Sequence, residues 1–125
     1  RAAFWRPVSG PSDLMAYDES QAALLRADLA ALPGVTGQRM FGGLFFLQNG
    51  NMLAGASGRS GVMVRVGPDA MTEALRIRGA SQVEMGRRRM KGFVSLDAEA
   101  MADDSRRRQL VSMARAFVAT LPPKA

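Results

Sequence analysis

Cysteine is absent from the sequence, and so is histidine. Without cysteine there is no disulfide framework and no thiolate nucleophile, which fits a cytoplasmic protein. Without histidine the chain lacks both the commonest general acid–base and the commonest transition-metal ligand. A zinc or copper site made of carboxylates alone is not expected, so neither a metal nor a cofactor is anticipated. Aromatics are scarce at 6%, with one Trp, one Tyr and six Phe. Single-stranded nucleic acid, which asks for aromatics interleaved among cations, therefore has little to stack on. No run approaches the roughly 20 apolar residues a membrane helix needs. No basic stretch followed by a long apolar one marks a secretory signal.

What is present is a chain of 125 residues with 47% apolar content. That length suits one domain, and that content suits a packed core. The net charge is +6, from 17 basic and 11 acidic residues. Such a balance makes nucleic acid or another polyanion a fair partner; the plainer reading is Arg written on every solvated face.

Residues Arg1 to Leu14 carry no periodicity, and Arg6-Pro7 and Gly10-Pro11 break any regular element. The stretch 1–14 is read as a leader or upstream extension, dispensable for stability, with the domain at 15–125. Trp5 falls in the excluded part. A first helix is expected from about Glu19 to Leu32, capped by Asp18 with Gln21 as capping-box partner. Its stripe is Ala22, Leu25, Leu29 and Leu32, and Pro33-Gly34 ends it. Three extended segments follow: Thr36 to Met40 continuing into Leu44 to Gln48, then Met52 to Ser57, then Val62 to Val66. Asn49-Gly50 between apolar runs signals a type I′ hairpin, since both central residues need positive φ. Gly42 and Gly43 read as a bulge or a close backbone approach. Gly58 to Gly61 is a second tight turn. Val62, Val64 and Val66 share one strand face, Met63 and Arg65 the other. Gly67-Pro68-Asp69 opens a short helix with Met71, Ala74 and Leu75 inward. Strands near Gln82 to Met85 and Met90 to Leu96 come next. A last helix, about Asp104 to Leu121 and capped by Asp103, buries Leu110, Ala114, Phe117, Val118 and Leu121.

The order is α-β3-α-β2-α. Short turns between neighbouring strands predict an antiparallel sheet of about five strands, and few helices predict cover on one face. The fold class is therefore a two-layer α+β domain. A sheet covered in that way leaves another face or an edge open, which predicts a homodimer.

Arg39-Met40-Phe41-Gly42-Gly43, the Gly50-Asn51-Met52 turn, Val64-Arg65-Val66 and Met90-Lys91-Gly92-Phe93-Val94 together resemble the N-terminal domain of the TfoX/Sxy competence regulators. The resemblance spans roughly Tyr17 to Leu121. It implies an antiparallel sheet with helices, similar to type III secretion chaperones, which pair. It also implies a role in transcriptional regulation of competence for DNA uptake. Full-length members carry a second, C-terminal domain; this sequence stops at Ala125, so it resembles a single-domain version.

Among candidate sites, the basic stretch Arg87, Arg88, Arg89 and Lys91 stands out, with Arg76 and Arg78 upstream and Arg106 to Arg108 downstream. In an extended strand Arg87, Arg89 and Lys91 share one face and could engage phosphates or a carboxylate-bearing partner. Alternatively they blunt an edge strand against pairing. Arg106 to Arg108 sit in a first helical turn, where cations oppose the dipole; a tolerated surface run or a partner site would each explain them. Arg39 and Arg65 flank apolar strand residues and could meet as a shared anion site, or cover apolar surface with their stems. Phe41, Gly42, Gly43 and Gly50 are structural; no phosphate loop follows, because the required Lys-Ser/Thr and helix opening are missing. Met40, Met52, Met63, Met85 and Met90 fall on strands, as core fillers or as an adaptable partner surface. The acids are scattered at caps and helix faces, and no nucleophile has a visible base, so an enzyme is not expected. The sequence thus predicts a non-enzymatic regulatory domain acting through a protein partner. Direct nucleic-acid binding through Arg87 to Lys91 is the alternative, and an enzyme acting on an anionic small molecule a weaker one.

Overall fold

The computed structural model describes residues 17–40, 42–58, 61–85 and 88–124, with backbone alone at 84–85 and 88–90. The 1–14 segment and Phe41 lie outside the described residues. Helix α1 (Glu19–Asp28) starts where Asp18 accepts hydrogen bonds from the backbone N–H groups of Ser20 and Gln21 at 2.8 and 3.2 Å. It stops at Asp28 rather than Leu32, and the chain turns through 29–32 before Pro33. Ala22, Leu25 and Leu29 are buried, as their spacing requires.

Strands β1 (Val35–Met40), β2 (Gly43–Gln48), β3 (Asn51–Ser57) and β4 (Gly61–Arg65) form a meander. A 3-10 turn (Pro68–Ala70) and the short helix α2 (Met71–Ala74) lead to β5 (Ala80–Met85) and β6 (Arg88–Leu96). Helices α3 (Ala98–Ala102) and α4 (Asp104–Val118) close the chain. The six strands form one sheet in the order β1-β2-β3-β4-β6-β5, and every pairing is antiparallel. The protein is thus α+β, as its pattern predicts.

The sixth strand arises where the sequence suggests one continuous segment. Met40 pairs with Gly43, so the chain reverses between them and β1 lies against β2. Gly42, at φ +73°, is a turn residue and not part of a bulge. Gly43 does make the close approach: a Cβ there would strike the carbonyl oxygen of Ala56 on β3. The bulge itself lies further on, between Phe46 and Leu47. At the next turn, Asn49 and Gly50 both have positive φ, 51° and 85°, as a type I′ hairpin demands.

Among the described residues the helices pack on one side of the sheet. Their core joins Leu25 and Leu29 to Leu44, Phe46, Leu53, Val62, Val64, Val94, Leu110 and Val118. Val62, Val64 and Val66 face this core while Met63 joins a cluster on the opposite face, as strand alternation requires. Phe45, Met63 and Val83 are the buried members of that second cluster, with Met40, Leu47, Met52 and Phe93 around them. The ring of Phe45 lies over Gly55, where any Cβ would collide with it.

Two helix readings need correction. Leu75 is 39% exposed, and the half-buried Ile77 takes its place against the core. The last helix ends at Val118 and is preceded by α3, whose N-cap Asp97 accepts from the Ala100 N–H at 2.8 Å. Beyond α4, residues 119–124 return to the β2–β3 turn. There the Lys124 N–H donates to the Asn49 carbonyl at 2.8 Å, and buried Asn51 donates through Nδ2 to the Pro122 carbonyl at 2.9 Å.

Candidate functional site

Arg39 and Arg65 do not meet. Arg39 lies on β1 and Arg65 on β4, with β2 and β3 between them. Three strand spacings separate them by about 14 Å. They also face opposite ways. Arg39 pairs across to Leu44, a core residue, and so points to the helix side. There it approaches Tyr17. Burial, then the hydrogen bond that the Tyr17 hydroxyl donates to Glu19 at 3.0 Å, push the phenol pKa up, while the Arg39 guanidinium pulls it down. Arg65 alternates with core residues Val64 and Val66 and shares its strand face with Met63. Of the two readings of this pair, the shared anion site is therefore not formed.

Arg65 instead occupies an aromatic clamp. Its guanidinium carbon lies 5.8 Å from the ring centre of Phe93 on the paired strand and 5.3 Å from that of Phe117 on α4. Both distances are within cation–π range. Phe93 belongs with the second sheet face and Phe117 with the helix-side core, so Arg65 links the two where β4 ends.

The basic stretch is split. Arg87 lies outside the described residues; Arg88 and Arg89 are on β6, opposite Met85 and Glu84 of β5. β6 is an internal strand, and the edges are β1 and β5. Its pairing with β4 covers only Phe93 to Leu96, so Arg88 to Lys91 extend past β4 with β5 alone beside them. Strict alternation also fails here. The β5–β6 register shifts between Gln82 and Glu84, and Gly92 has φ +85°. The common face expected for Arg87, Arg89 and Lys91 involves Arg87, which lies outside the described residues, and Arg89, described by its backbone alone. Lys91 is exposed and lines a groove of about 320 Å³ with Met71, Leu75 and Gln82 on the helix side.

Of Arg106 to Arg108, read as a surface run or a partner site, Arg107 turns inward and Arg106 is half-buried. Arg107 is 2% exposed and Asp28 5%, and Arg107 Nε donates to Asp28 Oδ2 at 2.6 Å. Its other nitrogens donate to the Met101 carbonyl at 2.7 Å and to Asp104 at 2.8 Å. These bonds raise the Arg107 pKa, the one it donates to Asp28 most, so the group stays charged. Arg106 Nε donates to Asp103 at 2.9 Å, and its Nη1 to the Arg78 carbonyl at 3.1 Å. Asp103 also accepts the Arg106 N–H; these bonds hold its carboxyl below the usual carboxylate value. Only Arg108 remains open, its side chain 64% exposed with Asp28 at 3.4 Å. A signal for Arg107 was present. It stands three residues before Leu110, four before Val111 and seven before Ala114, squarely on the buried stripe.

The acids are mostly engaged. Asp18, Asp97 and Asp103 cap helices, and Asp28 holds Arg107. Among the described residues no three acids converge on a metal-sized site. A groove of about 730 Å³ runs between α2 and α4 past Glu73, Arg76, Ile77, Arg108, Ser112 and Met113. Its lining is mixed, with Ser105, Gln109 and Ser112 among the polar members. Among the described residues no helix is long and apolar enough to cross a membrane.

A family model described as TfoX N-terminal domain matches residues 27–118. Neither curated proteins nor solved structures give a match.

Proposed function

As the chain belongs to the TfoX N-terminal domain family, we propose that it is a non-enzymatic regulatory domain. It acts through a protein partner in the cytoplasm, in transcriptional control of the kind that the resemblance to the competence regulators implies. The observation that carries this reading is the family match over residues 27–118, in a chain whose Asp18, Asp97 and Asp103 cap helices and whose Asp28 pairs with Arg107. Self-association is part of the proposal, because β1 and β5 each have a sheet neighbour on one side only.

Direct nucleic-acid binding is the rival, and the projection of Arg88 to Lys91 beyond β4 favours it. Duplex DNA titrated at two salt concentrations separates the two, using wild type and a variant with Arg87, Arg88, Arg89 and Lys91 all changed to Ala. Phosphate contacts weaken with salt in proportion to the phosphates neutralised. The proposed reading expects neither protein to bind at physiological salt. Salt-sensitive binding by wild type that disappears in the variant would replace it with the nucleic-acid reading.

A further inference from the structure

The groove between α2 and α4 is open to solvent, and every residue lining it is among the described ones. Ser105, Arg108, Gln109 and Ser112 are exposed along α4, with Glu73 and Arg76 exposed across from them. The floor is apolar: Ile77 and Met113 are half-buried and rest on the main core. On the other flank of Arg108 and Ser112 a second groove, about 320 Å³, adds the exposed Arg115.

Cations form the walls. Arg76 stands in the turn after α2 and Arg108 on α4, and Glu73 is the one acid in the lining of the larger groove. Among the described residues no carboxylate lies within ion-pair distance of Arg76 or Arg115. Arg108 reaches Asp28 only at 3.4 Å, and Asp28 already accepts from buried Arg107. The acids around the start of α4 are engaged as well: Glu99 faces Arg78, Asp103 holds Arg106 and Asp104 holds Arg107.

Guanidinium groups on two walls above an apolar floor suit an amphipathic helix. Its apolar residues would settle on Ile77 and Met113, and carboxylates on its flanks would meet Arg76 and Arg108. Ser105 and Ser112 are short, so a helix crossing α4 there can come close. A second copy docked by the same groove would set Arg76 and Arg108 against themselves, between chains each carrying +6. The chain's own residues 1–16 bring Arg1 and Arg6 against Asp13, again the wrong sign. A nucleic-acid backbone would gain nothing from the apolar floor and would meet Glu73. We infer that the groove between α2 and α4 docks an acidic amphipathic helix of another protein, with Arg76 and Arg108 pairing to the carboxylates beside its apolar stripe. This rests on the interaction-domain reading above and assigns it a surface and a partner chemistry.

Ile77 is the only isoleucine in the sequence, so its δ1 methyl is an unambiguous NMR reporter of the groove, with the Met113 methyl beside it. The full chain is titrated with a helical peptide of about 21 residues built from Leu, Ala and Glu, and with its counterpart in which every Glu is Gln. The Glu peptide should shift both methyls and bind about tenfold more tightly than the Gln peptide, as charge-assisted pairs would give. Arg76→Gln combined with Arg108→Gln should abolish that preference; an unmoved Met63 methyl, buried on the opposite sheet face, shows that the variant is folded. Equal binding of the two peptides, binding of neither, or a preference that survives in the variant would overturn the inference. So would shifts at Met52 and Met63 with Ile77 unmoved, though these would leave the interaction-domain reading standing. Concentration-dependent shifts of Ile77 and Met113 without peptide would assign the groove to a second copy and overturn it. Duplex DNA that shifts both methyls and displaces the peptide would overturn it together with the interaction-domain reading.

Discussion

Arg107 on α4 and Asp28 at the end of α1 form a buried ion pair, 2.6 Å from Nε to Oδ2, between residues 79 apart in sequence. The pair ties the first helix to the last over the sheet. Removing one member of a buried pair leaves the other charged and desolvated, at a cost of roughly 3–5 kcal/mol. Arg107→Met should therefore lower the unfolding free energy by about 3 kcal/mol, Asp28 keeping only its long contact to Arg108. Adding Asp28→Leu should restore much of the loss, because the replacement is apolar on both sides. Urea denaturation of the two singles and the double closes the cycle; additive losses would refute the coupling.

Asn51 is 4% exposed and donates its amide to the Pro122 carbonyl. Asn51→Ala should cost about 1–2 kcal/mol by leaving that bond unmade. It should also loosen the tail locally. Amide exchange at Lys124, whose N–H meets the Asn49 carbonyl, should then accelerate while exchange in β3 and β4 barely changes.

Gly55 and Gly42 should respond differently to alanine. At Gly55 a methyl group meets the Phe45 ring, so the second face must repack at roughly 1–3 kcal/mol. At Gly42 the space is open and the cost is the left-handed backbone alone, about 1 kcal/mol. Thermal unfolding of both variants checks this, and Gly42→Asn should recover most of its loss because Asn tolerates that conformation.

The helix caps set an acid limit. Asp18 is held below the usual 3.8, chiefly by the hydrogen bond from the Ser20 hydroxyl. Asp103 is held below it by the Arg106 N–H and side chain. Their folded-state pKa values are depressed, so the stability they give is complete above the unfolded value and is lost as pH falls through the folded one. Stability followed by urea midpoint should drop below about pH 4, and the drop should be shallower in an Asp18→Asn, Asp103→Asn variant.

Much of this protein was settled locally. Asn49-Gly50 dictates a hairpin because few residues other than Asn and Gly accept positive φ. Asp18 and Asp103 start helices because a carboxylate two or three residues upstream satisfies free N–H groups. Val62, Val64 and Val66 turn inward because strands alternate. The family match over residues 27–118 agrees with motifs visible in the chain. Other features depended on residues far apart in sequence. The placing of β6 between β4 and β5 is a choice of partner, and it makes a presumed edge strand internal. The separation of Arg39 from Arg65 follows from the two strands between them. Arg107 reads as a surface cation until Asp28 comes from the other end of the chain to meet it. Turns, caps and alternation are decided by backbone sterics and hydrogen bonds within a few residues. The neighbours of a charge, and the face on which it ends, are decided only when the sheet closes and water leaves.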